Sequence, residues 1–326
     1  MKQRAKDLND TLELMTRAAT LYYLEDQTQA EVAQTLGVQR SRVVRLLKRA
    51  RAEGIVEITI HPHPGLNLSL EAEFKARFGL QEVLLASNQQ DEAAQRALVA
   101  QMVAHYLARR LQDEMTIAVG MGRNVGAIPN ALPQVAPRAC RFISALGGSP
   151  QIESLINPDE VARRLAEAFG GSSESLYAPA YVESPAIRDV FMRHDTIQRT
   201  LQKARQADVA LVGIGDAHDS SAVVQIGCFT AQEMRHLRQA GAVGDMLGYF
   251  FDLDGQPVAG SMANRVVGLS ADDLRGIPCV LAVASEAGKA ASILGALRTG
   301  LVQVIATSTQ NARAILDLDQ ESERDV

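Results

Sequence analysis

Thr28 to Gly54, TQAEVAQTLGVQRSRVVRLLKRARAEG, is the stretch whose reading decides the N-terminal fold. Its first half predicts a short helix, with Thr28 as N-cap, Glu31 three residues on, and Val32, Ala33 and Leu36 as the apolar face. Gly37 stops it. A second helix is expected from about Gln39 to about Glu53, with Val43, Val44, Leu46, Leu47 and Ala50 on one face of a 3.6-residue period. Arg42, Arg45 and Arg49 lie opposite. Between Arg40 and Arg51 stand six basic residues and no acidic one. Two helices joined by a Gly turn, the second basic outside and apolar inside, are what a helix-turn-helix needs to lay a helix in the major groove.

A basic helix face on its own is most often only solvated. Here the neighbours decide. Met15 to Leu24 reads as a preceding helix, and Ile55 to Ile60 (IVEITI) as a short strand where a wing would sit. Three helices and a wing in that order predict a DNA-binding head over residues 1–62. Gln39, Arg40, Ser41 and Arg42 stand at the start of the second helix, where base edges are met. Arg45, Lys48 and Arg49 lie further along, where phosphates pass.

The chain has 326 residues, enough for two domains that each bury a core. The net charge of -5 is unevenly spread. Residues 1–62 hold ten Lys/Arg against eight Asp/Glu, and the remainder 23 against 30, so phosphate attraction concentrates at the head. Cys140, Cys228 and Cys279 are odd in number and far apart, which supports neither a disulfide framework nor a zinc ribbon. No metal or cofactor is expected. The start lacks the apolar core of a signal peptide, and no uncharged apolar run reaches membrane-spanning length. A soluble cytoplasmic protein follows as the expectation.

His61 to Asn67 (HPHPGLN) cannot be regular helix and marks the boundary, so residues 63–326 form the second domain. Leu68 to Phe78 reads as a helix that connects or pairs subunits. After it, short apolar runs alternate with amphipathic helices. The runs are Glu82 to Ala86, Thr116 to Val119, Arg141 to Leu146, Asp208 to Ile214, Tyr249 to Asp252, Pro278 to Ala284 and Val302 to Ala306. The helices include Glu92 to Leu111, Asp159 to Phe169, Ser184 to Lys203, Lys289 to Arg298 and Gln310 to Leu316. Strands without polar alternation imply burial on both faces, hence an α/β domain with a Rossmann-like, doubly wound parallel sheet.

In such sheets ligands sit beyond the C-terminal strand ends. Gly120-Met121-Gly122-Arg123-Asn124 follows the second run, a turn whose backbone N–H groups could cradle an anion beside Arg123. Its spacing is not the dinucleotide G-x-G-x-x-G. Gly147-Gly148-Ser149 follows the third run and Gly215-Asp216 the fourth; Gly244-Asp245 leads into the fifth, and Ser285-Glu286-Ala287-Gly288-Lys289 follows the sixth. Each loop alone is ordinary turn chemistry. Together they predict a polyol and phosphate site, with Asp216 and Asp245 for hydroxyls and Gly120, Gly122, Arg123 and Lys289 for an anionic group.

At this point the chain resembles the SorC family of sugar-binding transcriptional regulators over nearly its whole length. The motifs are GVQRSRVVRLLKRARAEGIVEI in the head, then VGMGRN, DVALVGIGD, GDMLGYFFDLDGQPV, LRGIPCVLAV and GKAASILGALRTGLVQVIAT. The resemblance implies a helix-turn-helix or winged reader of operator DNA and a body similar to the glucosamine-phosphate deaminase and ribose-phosphate isomerase fold. It also implies a sugar, polyol or sugar-phosphate effector and commonly a homotetramer. Carried over residue by residue, the effector loops match Gly120, Gly122, Arg123, Asn124, Gly147, Asp216, Asp245 and Lys289. Many relatives have a Trp-Gly pair and a Thr where this chain has Met121-Gly122 and Asn124, and often Ser or Thr at the places of Gln39, Arg42 and Val44.

The competing reading is a sugar-phosphate isomerase or deaminase with an appended head, for which Asp216, Asp245 and Glu286 supply carboxylates. No His lies in a strand-end Gly motif; His218 is the nearest. A dinucleotide-binding redox sensor is disfavoured by the Gly spacing. The DNA-binding head favours a regulator, and no catalytic residue is assigned.

Overall fold

A computed structural model describes residues 2–57, 67–149, 156–219, 221–225, 227–258 and 264–324. The chain divides into two units, Met1–Pro62 and His63–Val326.

The first unit holds three helices, α1 (Lys2–Tyr23), α2 (Gln29–Thr35) and α3 (Arg40–Ala52). The start of α2 is a capping box: the Glu31 N–H donates to Thr28 Oγ1, and the Thr28 N–H donates to Glu31 Oε2 at 2.7 Å. Its end is a Schellman turn. Gly37 takes φ 65°, and the Val38 N–H reaches back to the Ala33 carbonyl at 3.0 Å. That turn sets α3 across α1 and α2 over a core of Met15, Ala18, Val32, Val43, Leu46, Leu47 and Ala50. Two expectations change. Val44 lies outside this core and is exposed. Ile55 to Glu57 form no strand; Ile55 and Val56 pack on the core, and the Ile55 N–H closes the end of α3 on the Ala50 carbonyl. The rest of the expected wing, residues 58–60, and the expected linker, residues 61–66, lie outside the described residues.

The second unit begins with α4 (Leu68–Phe78) and builds a seven-stranded, all-parallel sheet. Its strands are β1 (Glu82–Ala86), β2 (Thr116–Val119), β3 (Arg141–Ser144), β4 (Ser172–Glu174), β5 (Val209–Gly213), β9 (Val280–Val283) and β10 (Val304–Ser308), in spatial order β1-β10-β9-β5-β2-β3-β4. Alternate strand residues enter opposite layers. Val83, Leu85, Ala118, Ala210, Val212, Ala282 and Ile305 share one core with α4, α9 (Asp195–Arg205), α13 (Ala290–Arg298) and α14 (Thr309–Arg324). Leu84, Ile117, Val119, Leu211, Leu281 and Ala306 share the other with α5 (Glu92–Arg110), α6 (Arg123–Ala127) and α7 (Pro158–Phe169). Burial on both faces explains the unbroken apolar runs.

Three elements differ from the sequence expectation. Tyr249 to Asp252 does not join the parallel sheet. Instead β6 (Gly215–Asp216), β7 (Gly244–Met246) and β8 (Tyr249–Phe251) make a separate antiparallel sheet. Leu247 at φ 53° and Gly248 at φ 76° form a two-residue hairpin whose positive dihedrals match the strand twist. The expected helix Ser184 to Lys203 is two, α8 (Pro185–Arg193) and α9, broken where His194 takes extended dihedrals. The edge strand β4 is polar and was not visible as an apolar run.

Candidate functional site

On α3 the residues Gln39, Arg40, Ser41, Arg42, Arg45, Lys48 and Arg49 are all exposed, while Val43, Leu46, Leu47 and Ala50 face the core. The basic residues are not equally available. Arg49 donates to Glu53 Oε1 at 2.7 Å, and Arg51 donates to the Tyr23 hydroxyl at 2.7 Å with its guanidinium over the ring. Arg45 Nε turns back on the Ser41 carbonyl. Arg40, Arg42 and Lys48 make no ion pair with another described residue, so their charge faces outward.

In the body the chain turns in opposite directions from β2 towards β3 and from β5 towards β9, so a switch point opens between β2 and β5. A cavity of about 90 Å³ lies there, lined by the loops after β2, β5 and β9 and by the β7–β8 hairpin. Sites that enclose drug-sized ligands run to roughly 300–1,000 Å³. This cavity lies below that range.

Six of the eight expected residues line it: Gly122, Arg123, Asn124, Asp216, Asp245 and Lys289. Gly120 and Gly147 stand behind. A Cβ on Gly120 would press on Leu247 and the Leu211 carbonyl, and one on Gly147 would meet the Ala178 carbonyl at 2.3 Å, so both permit close packing. Nor do the glycine N–H groups wait for an anion. That of Gly120 donates to the Leu211 carbonyl at 2.8 Å and that of Gly122 to the Ile156 carbonyl at 3.1 Å.

Lys289 is buried at the N-cap of α13. Its Nζ donates to the Ile214 carbonyl at 2.8 Å and lies 3.3 Å from Glu286 Oε2 and 3.9 Å from Asp216 Oδ2. Glu286 is the hub. Asn124 Nδ2 donates to it at 2.8 Å, and Arg96 and Arg123 stand at 3.8 and 4.0 Å. Burial alone would push its carboxyl up, but Lys289, Asn124 and Arg96 outweigh that and hold it down at about 2. Ser285 Oγ completes the group by donating to Asn124 Oδ1. The lysine expected to meet an anionic group is therefore already paired with Glu286.

Asp245 behaves in the opposite way. It is 6 % exposed and accepts from the Gly248 N–H across its own hairpin at 2.9 Å. Burial pushes its carboxyl up to about 6; Gly248 and Lys289 pull it down, and the Asp216 carboxylate pushes it up. The side chain fits because position 215 is Gly: a Cβ there would sit 2.0 Å from Asp245 Oδ1. Two of the polar lining residues carried no sequence signal. Tyr181 comes from the loop before α8, and Ser221 is 4 % exposed with its hydroxyl unpaired among the described residues. An unpaired buried hydroxyl costs free energy that a ligand hydroxyl recovers.

One unit thus carries an exposed basic helix and the other a small cavity at its switch point lined by several charged side chains, the pattern of a ligand-responsive transcriptional regulator. Comparison with known proteins agrees. Residues 63–317 match the family model "Putative sugar-binding domain", and residues 19–53 match "Sigma-70, region 4". The sorbitol operon regulator of Klebsiella pneumoniae is 30% identical over 94% of this chain and 99% of its own length. The erythritol catabolism regulatory protein EryD of Brucella abortus is 27% identical over 95% and 98%. The crystal structure of the full-length Klebsiella regulator SorC superposes with a TM-score of 0.85 over 94% of this chain and 98% of that one, at 30% identity. The chain belongs to the SorC family of sugar-binding transcriptional regulators. No helix among the described residues is long and apolar enough to cross a membrane.

Proposed function

We propose that this regulator binds operator DNA through α3 and that its operator affinity is set by a small sugar or polyol held in the switch-point cavity. The observation that carries the reading is the meeting of Asp216, Asp245, Lys289 and Ser221, whose hydroxyl is unpaired among the described residues, in one cavity. Carboxylates accept hydrogen bonds from ligand hydroxyls, and the lysine and serine donate to ligand oxygens. The pairing of Lys289 with Glu286 moves the weight of recognition from a phosphate to hydroxyls. Arg123, whose side chain is 41% exposed, is the cation at hand for a phosphorylated effector. The names of the chain's relatives as regulators support a cavity that binds rather than one that turns a substrate over.

The assembly we propose is a homo-oligomer, a tetramer on the family pattern, working in the cytoplasm on double-stranded DNA. Support comes from α8, which buries no residue and leaves Ile187 and Val190 exposed. Sedimentation of the full chain checks this.

Calorimetric titration of neutral sugars, polyols and their phosphates, with and without a bound duplex, tests the effector. One class should bind, and its affinity should change by the same factor by which it changes DNA affinity, because coupling between two sites is reciprocal. Turnover of any sugar phosphate, or binding with no effect on DNA, overturns the reading.

A further inference from the structure

The apolar residues of α3 split into two groups. Val43, Leu46, Leu47 and Ala50 are 0–6% exposed, whereas Val44 keeps 46% of its surface in solvent. Helix geometry puts Ser41 one turn before it, Lys48 one turn after it and Arg45 beside it, and all three are exposed. Two methyl groups therefore stand inside a surface otherwise made of guanidinium, ammonium and hydroxyl groups. A β-branched side chain in a helix has one strongly preferred rotamer, so the methyls are presented in a fixed place and lose little freedom on docking.

A major groove offers donors, acceptors and one methyl group, the C5-methyl of thymine. Charged side chains near Val44 gain nothing from that methyl. An aliphatic one does, because contact removes apolar surface of both partners from water. We infer that Val44 reads a thymine methyl in each half-site and so fixes one base of the operator. This rests on the reading of α3 as the DNA-reading helix. Arg40 and Lys48, four residues before and after Val44 and without ion pairs to described residues, would supply the phosphate and polar base contacts that hold the helix in register.

The test uses the full chain and duplexes selected by it from a random-sequence pool. In the best selected duplex each thymine is replaced in turn by deoxyuridine, which deletes the C5-methyl and keeps every polar group. For the wild type, one position in each half-site should lose about fourfold in affinity, the worth of roughly one buried methylene. Val44→Ala should bind the thymine duplex about as weakly as the wild type binds that deoxyuridine duplex, and should be indifferent to the replacement. Val44→Thr, which keeps one methyl, should fall between. The Val44→Ala protein should melt with the wild type, since Val44 is outside the core. Equal deoxyuridine effects in wild type and Val44→Ala, or no effect at any thymine, overturn the assignment while leaving DNA binding intact. Failure to enrich any duplex overturns the DNA reading and this assignment with it.

Discussion

The proposed reading helix α3 and the proposed effector cavity both hold clustered charge, and they use it in opposite ways. On α3 the basic residues stand in water, and such pairing as they have is exposed: the side chains of Arg49 and Glu53 are 56% and 41% accessible. In the cavity the pairing is buried, with Lys289 and Glu286 at 10% and 9%. Exposed pairs contribute little and leave their members available, whereas breaking a buried pair leaves an uncompensated charge out of water. The difference teaches that a basic residue in a sequence is a candidate ligand only until its partners are known. One partner of Lys289, Glu286, lies three residues before it, and the other two, Ile214 and Asp216, come from the end of β5, far away in the chain.

The largest test of that contrast is Lys289→Met. It should cost the body about 3–5 kcal/mol, the usual penalty for stranding one member of a buried pair, and abolish effector binding. Denaturant unfolding measures the first and calorimetry the second. Unchanged stability would mean that the cavity charges are as loosely held as those of α3.

Next in size is a pH effect at Asp245, whose sign is opposite to that at Glu286. The folded pKa of Asp245 is raised from 3.8 to about 6. Its contribution to stability is therefore fully present below the unfolded value and lost as pH rises through about 6. At pH 7.5 the buried carboxylate costs up to about 3 kcal/mol. Asp245→Asn, which keeps an acceptor for the Gly248 N–H, should melt above the wild type at pH 7.5 and lose effector affinity, with the gap closing below about pH 4. Glu286, lowered from 4.5 to about 2, stabilises above its unfolded value and loses that contribution as pH falls through about 2. A melting profile of both variants, Asp245→Asn and Glu286→Gln, separates the two.

The same contrast explains what the sequence could tell. The reader is built from contacts within a few residues: the Thr28 and Glu31 box, the Gly37 turn and the period of α3 are local. Besides the expected strand at Ile55 to Glu57, Val44 was misassigned, because helical spacing places it at the border between two faces and packing alone decides which one it joins. The parallel sheet was legible for a different reason, since strands buried on both faces are apolar at every position. The antiparallel β6-β7-β8 sheet was not, because Gly215, Asp216, Gly244 and Asp245 look like turn residues. The Gly and Asp motifs named loops that line the cavity. They could not show that the N–H groups of Gly120 and Gly122 are already bonded, because that depends on residues brought from elsewhere in the chain.

A smaller effect belongs to the reader alone. Thr28→Ala removes the acceptor for the Glu31 N–H and the anchor of the capping box. About 1 kcal/mol of stability should go from the first unit. Hydrogen exchange in α2 and α3 should report it, while exchange in the body stays unchanged.

The smallest expected effect is the sharpest test of exposed against buried pairing. Lys48 is exposed and carries no ion pair among the described residues, so Lys48→Ala should lower the slope of log affinity against log salt by about one for every DNA sequence. Arg49 sits four residues before Glu53, and the two together carry no net charge. Such an exposed helical pair is worth about 0.3–0.5 kcal/mol, too little to hold Arg49 away from a phosphate, yet the carboxylate next to it repels that phosphate. Removing both charges with Arg49→Gln and Glu53→Gln should therefore leave the salt slope within about 0.3 of the wild type, while Glu53→Gln alone should raise it by up to about one as Arg49 is released. Anisotropy titrations over a salt series give all three slopes. If the double variant falls as far as Lys48→Ala does, Arg49 is a phosphate ligand in spite of Glu53, and pairing on α3 has no bearing on which cations reach the DNA.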